Sequence, residues 1–173
     1  MKPDTAFLDR DGTINFKAPE SEYIRSPSEL NLIPGAARAV RMLNAASVRV
    51  VVVTNQRCVA LGLSSHARVE AVNARLRELL ATEGAYLDAI YVCPHDNGAC
   101  DCRKPAPGLL LRAVEDDPAI DLTRSVMIGD SESDVSAAIA AGVRPIRLGS
   151  PPVITRAPVV ADDLLSAVRA FLL

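Results

Sequence analysis

A chain of 173 residues is long enough for one domain with a substantial core, and 49% apolar with 23% charged residues is ordinary for a globular protein. A formal net charge of −2 gives no electrostatic case for a nucleic-acid backbone, and no apolar run is long enough to span a bilayer. Aromatic residues are scarce and Trp is absent, so Val, Leu, Ile and Ala must build the core. From the N-terminus, Thr5 to Leu8 reads as a short buried strand that ends at two carboxylates, Asp9 and Asp11. The segment 34–46 then places Ala36, Val40 and Leu43 on one helical stripe, and "VRVVVV" at 48–53 is a second strand. Val69, Val72, Leu76, Leu79 and Leu80 form another stripe between Ser65 and Glu83. Leu87 to Val92 is the third expected strand.

Pro107 suits the first turn of a helix over "GLLLRAVED". "SVMI" at 125–128 is the fourth strand, followed by the helix "SDVSAAIAA" with Gly142 as its C-terminal cap. Val143 to Leu148 is a fifth strand. After a Pro-rich stretch from Gly149, "ADDLLSAVRAFLL" gives a closing helix capped near Asp162. Continuous apolar strands alternating with helices predict an open, mainly parallel α/β sheet with right-handed crossovers and helices on both faces. The opening residues carry no leader pattern, so a cytoplasmic address is expected, with Cys58, Cys93, Cys100 and Cys102 as thiols or metal ligands.

In such sheets ligands sit at the carboxyl ends of the strands. Asp9 and Asp11 fall there, as do Thr54-Asn55 and Gly129-Asp130 with Asp134, while Lys104 precedes the helix that leads into the fourth strand. Each cluster alone could be a turn or a helix cap, because Asp, Asn, Thr and Gly favour both. Together they fit phosphoryl transfer through an aspartyl-phosphate. A phosphate monoester repels an anionic nucleophile, and a divalent cation removes that repulsion. Asp9 is the expected nucleophile and Asp11 the group that protonates the leaving oxygen and then deprotonates water. Asp130 completes a magnesium site, and Thr54 and Lys104 hold the phosphoryl oxygens.

A second cluster, "CPHDNGACDC" at 93–102, holds Cys93, His95, Cys100 and Cys102. Three thiolates and an imidazole make a closed tetrahedral set, which points to structural zinc. The plain alternatives are a loop with chance thiols or a Cys100–Cys102 redox pair. His66 reads as a helix-surface residue.

"DRDGT", "TNQ", "RKP" and "GDSESD" resemble the four motifs of the haloacid dehalogenase-like phosphatases, covering about Ala6 to Leu148. The resemblance implies a Rossmann-like sheet, the roles above and a magnesium ligand from the Asp11 main-chain carbonyl. The stretches from Ile14 to Val48 and from Arg57 to Val92 are filled by the elements already placed. A single capless domain over 1–173, with a zinc loop at 93–102, is therefore expected.

Within that superfamily, the zinc loop before "RKP" is similar to the group of heptose-bisphosphate and histidinol-phosphate phosphatases, and "DGTIN" with Asn15 leans toward the heptose side. That implies a small phosphorylated sugar as substrate, acted on by a monomer without nucleic acid or membrane. Arg103 would recognise the substrate, with Asn55 and Gln56 near the sugar. Three features depart from the group's pattern. Arg57-Cys58 replaces Ser-Gly after TNQ, Ser131 replaces a lysine after Asp130, and only four residues separate His95 from Cys100. Arg57 is a candidate for the missing cation. Two rival classes fit the sequence less well. A polynucleotide 3′-phosphatase conflicts with the negative charge and few aromatics, and a non-catalytic zinc domain has no need of the four carboxyl-end clusters.

Overall fold

The run Thr5–Leu8 becomes β1, the strand on which the sheet turns, because its apolar side chains are buried on both faces. A computed structural model describes residues 2–150 and 153–172. Around β1 lie β2 (Arg49–Asn55), β3 (Ala89–Cys93), β4 (Ser125–Gly129), β5 (Arg144–Leu148) and β6 (Val159–Ala161), in the order β3-β2-β1-β4-β5-β6. All pairings are parallel. Thr5 is in register with Arg49 on one side and Ser125 on the other. The chain thus winds outward from β1 twice, first to β3 and then to β6, and leaves a crevice where the two directions part, between β1 and β4.

Strand alternation divides the core into two layers. Ala6, Leu8, Val50, Val52, Val126 and Ile128 face α1 (Ala36–Ala45), α2 (His66–Thr82) and α5 (Leu164–Leu172). Phe7, Val51, Val53 and Met127 face α3 (Gly108–Asp116) and α4 (Glu132–Ala140). The predicted stripes are the buried ones: Val40 and Leu43 on α1, and Val72, Leu76 and Leu80 on α2. Gly142 follows α4 at φ +72°, as a C-terminal glycine should. His66 is exposed at the start of α2. No helix among the described residues is long and apolar enough to cross a membrane.

The structure differs from the sequence expectation at several elements, and β2, expected to end at Val53, runs on to Asn55 so that Thr54 and Asn55 form its last two residues. β6 is an additional strand. It is short and its two valines are partly exposed at the sheet edge, so no buried run announces it. β3 is shifted toward its C-terminus and ends on Cys93, paired with Asn55 of β2. The cap expected near Asp162 is its neighbour Asp163, whose carboxylate accepts the Ser166 N–H at 2.7 Å.

Candidate active site

At the end of β1 the Asp9 N–H continues the ladder to the Ile128 carbonyl, at 3.0 Å, and fixes Asp9 on the rim of the crevice. The chain then turns tightly, with the Thr13, Ile14 and Asn15 N–H groups all directed at the Arg10 carbonyl. Gly12 makes the turn with φ +87°, and a Cβ there would overlap the Asp130 carboxylate. The rim is therefore shaped by backbone that only glycine tolerates.

Lys104 reaches this rim from the loop before α3. Its ammonium, 3% exposed as a residue, donates to Asp9 Oδ1 and to the Val53 carbonyl, each at 2.8 Å, and pairs with Asp134 Oδ1 at 2.6 Å. Burial opposes its charge, but Asp9 and Asp134 overcome that and raise its pKa, so the lysine stays cationic. The loop is held by a reciprocal pair: Asn55 Nδ2 donates to the Lys104 carbonyl at 2.9 Å and the Lys104 N–H to Asn55 Oδ1 at 3.1 Å. Asp134 in turn accepts from the Ser131 N–H and hydroxyl in a capping box at the start of α4.

Asp11 is braced by four donor nitrogens. Arg10 donates to both carboxylate oxygens, Asn15 Nδ2 to Oδ1 at 2.8 Å and Gln56 Nε2 to Oδ2 at 2.9 Å. Gln56 Nε2 also donates to Thr54 Oγ1 at 2.9 Å. Arg10 is completely buried and its far end donates to Asn73 of α2.

Carboxylate oxygens of Asp9, Asp130 and Asp134 lie within 4.8 Å of one another. Burial foremost, then Asp134 and Asp11, lifts Asp9 to about 7 despite the pull of Lys104. Asp130 is also raised by burial, against its contact with Lys17. Its Oδ1 is buried without a partner, while Oδ2 meets Lys17. Two burdened carboxylates and one orphaned oxygen are a hard, all-oxygen set, and a divalent cation such as magnesium fits it. A cleft of about 170 Å³ lies here, lined by Asp9, Asp11, Thr54, Lys104, Asp130 and Ser131 among others.

Beyond β3 the thiols of Cys93, Cys100 and Cys102 and Nδ1 of His95 gather into a compact set. Cys93–Cys100 is 3.6 Å, Cys100–Cys102 3.4 Å and His95–Cys102 3.3 Å. A tetrahedral zinc site with Zn–S near 2.3 Å has edges of about 3.8 Å, so the four donors fit one ion. Despite burial, hydrogen bonds from its neighbours lower Cys100 to about 7, while burial and the neighbouring thiols push Cys102 up. A metal would relieve that crowding.

The model of the haloacid dehalogenase-like hydrolases matches residues 1–142. The chain belongs to this family. Among its relatives, a D-glycero-beta-D-manno-heptose-1,7-bisphosphate 7-phosphatase of Rhodopseudomonas palustris is 43% identical, covering 80% of this chain and 79% of that one. The Pseudomonas aeruginosa enzyme of the same name is 37% identical over 99% of both chains. A crystal structure of D,D-heptose 1,7-bisphosphate phosphatase from B. bronchiseptica, complexed with magnesium and phosphate, superimposes with a TM-score of 0.88. It is 31% identical over 99% of this chain and 98% of that one.

Of the residues that sequence reasoning singled out in this haloacid dehalogenase-like hydrolase, Asp9, Asp11, Thr54, Asn55, Lys104 and Asp130 line the cleft together. Gln56 and Arg103 do not. Gln56 is 1% exposed and its amide nitrogen already donates twice, which leaves no face for a sugar. Arg103 donates through Nε to Asn97 in the Cys/His loop at 2.9 Å. Arg57 pairs with Asp96 of that loop at 2.5 Å instead of reaching the carboxylates. Sequence reasoning missed three contributors: Arg10 and Asn73, which brace Asp11, and the link from Asp134 to Lys104. The Ser-x-x-Asp spacing at 131–134 was a readable signal for part of the last. Arg10 carried none, because an arginine between two aspartates reads as surface.

Proposed function

We propose that this hydrolase removes the 7-phosphate of a D-glycero-D-manno-heptose 1,7-bisphosphate through an aspartyl-phosphate. The observation that carries it is the buried Lys104 bridging Asp9 and Asp134 beside the orphaned Asp130 oxygen. Similarity to heptose-bisphosphate 7-phosphatases supports the choice of sugar.

A carboxylate oxygen of Asp9 attacks phosphorus, and the bond to the C7 oxygen breaks. Asp11, its oxygens steered by Arg10, Asn15 and Gln56, gives that oxygen its proton. Asp11 then takes a proton from water, which attacks the acyl phosphate and frees inorganic phosphate from Asp9. Lys104 and Thr54 neutralise and hold the non-bridging oxygens. Asp9, Asp130 and the Asp11 carbonyl would hold magnesium, which supplies Lewis-acid charge against the phosphate dianion. Cys93, His95, Cys100 and Cys102 would hold zinc and anchor the loop that leads into Arg103 and Lys104. Every group invoked lies on one chain and one capless domain, so a monomer suffices.

The test is release of phosphate from heptose 1,7-bisphosphate with magnesium, with the product identified as heptose 1-phosphate. Asp9→Asn should abolish it while the fold, read by circular dichroism, is retained. Turnover by Asp9→Asn, or wild-type preference for another monoester, would refute the proposal.

A further inference from the structure

Two features that set this sequence apart, Arg57 after Gln56 and the short stretch between His95 and Cys100, meet in the structure. Arg57 Nε donates to Oδ1 of Asp96, the first residue of that stretch, at 2.5 Å. The same oxygen accepts the Asn97 N–H at 2.6 Å, and Asn97 Oδ1 accepts from Arg103 Nε at 2.9 Å. One run of contacts thus crosses from the segment after β2, through the tip of the Cys/His loop, to the residue before Lys104. The backbones are joined alongside it: the Gln56 N–H donates to the Cys93 carbonyl at 2.7 Å and the Ala60 N–H to the Pro94 carbonyl at 3.1 Å. Asp96 foremost, with Tyr23 adding to it, raises the pKa of Arg57, so a carboxylate and a phenol both lie against one guanidinium. Tyr23 lines a cavity of about 490 Å³ that shares Asp11 and Asn55 with the 170 Å³ cleft.

We propose that Arg57 is a positioning residue that clasps the Cys/His loop to Tyr23 at the wall of the larger cavity, and so couples metal retention in the loop to substrate affinity. The second half rests on the reading above, in which the cleft holds the reacting phosphate and the sugar extends beyond it. Metal ligation would fix the loop at Cys93, His95, Cys100 and Cys102 and leave residues 96–99 between two anchors. A tie at Asp96 holds that tip, directly beside a ligand in sequence. A guanidinium offers five donors in one plane, so a single side chain can meet a carboxylate along one edge and a phenol along another. The point charge of an ammonium does not reproduce that. Arg57 and Asp96 are 34% and 47% exposed, so water screens the pair and it adds little to global stability. Its effect is therefore on where the loop sits.

The experiment uses zinc-loaded wild type, Arg57→Ala, Arg57→Lys, Asp96→Ala and the Arg57→Ala/Asp96→Ala double variant. One readout is the rate at which zinc passes to a colorimetric chelator. The second is kcat and KM for heptose 1,7-bisphosphate with magnesium. The control is calorimetric binding of inorganic phosphate, which needs only the reacting end. In Arg57→Ala zinc should leave about three- to fivefold faster, the range of an exposed ion pair. KM should rise by a similar factor, at nearly constant kcat and phosphate affinity. Asp96→Ala should do the same, the double variant should lose no more than either single one, and Arg57→Lys should recover zinc retention more than KM. Unchanged zinc release or unchanged KM in Arg57→Ala, additive losses in the double variant, or an equal loss of phosphate affinity would each overturn the proposal. So would a wild type that holds no zinc. If the wild type does not hydrolyse the bisphosphate, the parent reading fails, and zinc release across the single and double variants still decides the clasp.

Discussion

Lys104 donates to Asp9 across 2.8 Å, although the two residues come from separate segments of the chain, one following β1 and the other following β3. The same ammonium meets Asp134 at 2.6 Å, so one buried cation ties three segments together at the proposed nucleophile. Asp134→Ala strips the buried Lys104 of one of its two carboxylates and leaves only Asp9 to balance it, so the expected loss of stability is about 3 kcal/mol, the low end for a broken buried pair. Ser131→Ala removes only the cap and should cost about 1 kcal/mol. Urea unfolding of the two variants separates ion pair from cap, and equal effects would contradict this account.

As a proposed magnesium ligand, Asp9 should make metal binding depend on pH. Its pKa is raised from 3.8 to about 7, so the folded state holds the proton more tightly than the unfolded one. From this group, stability of the metal-free protein falls as pH rises from about 4 to about 7. Magnesium must displace that proton below pH 7, at up to about tenfold in affinity per pH unit. Calorimetric titration should therefore show tighter magnesium binding, and a larger rise in Tm, at pH 8 than at pH 5.5. A pH-independent affinity would contradict the burial of Asp9.

Arg10 is the anchor of Asp11, and its replacement tests orientation separately from chemistry. Arg10→Met leaves Asp11 and Asn73 without their shared donor and should destabilise by about 3 kcal/mol. In folded protein kcat should fall more than KM rises if Asp11 has its proposed role of moving protons in the transition state. A variant with normal kcat would remove Arg10 from the positioning role.

Gly12→Ala combines a disfavoured positive φ with overlap on the Asp130 carboxylate. The backbone part should cost about 1–2 kcal/mol. The displaced carboxylate should weaken magnesium binding as well, measured by the same titration at pH 8. Intact magnesium affinity would show that Asp130 does not hold the ion.

The Cys/His loop should carry about one equivalent of zinc by metal analysis. Cys102→Ser should lower Tm and activity together, since the ordered loop leads directly to Lys104. Full activity in metal-free protein with all four ligands intact would separate the loop from the site.

The alternation of apolar runs and helical stripes determined the α/β class, the central strand β1 and most helix faces, because burial on two faces imposes composition and period on local sequence. Asp9, Asp11, Thr54, Lys104 and Asp130 were likewise legible, since each lies at or beside the end of an element that the pattern marks. The Cys/His set was legible because its four donors lie within one short loop. What local sequence does not encode is the partner of a long polar side chain. Arg10 at Asp11 and Asn73, Gln56 at Thr54, Arg103 at Asn97, Arg57 at Asp96 and Lys17 at Asp130 are all choices among several groups brought close only by the crossovers. Sheet order decided them, because strands that are distant in sequence become neighbours only once the chain has wound outward from β1 in both directions.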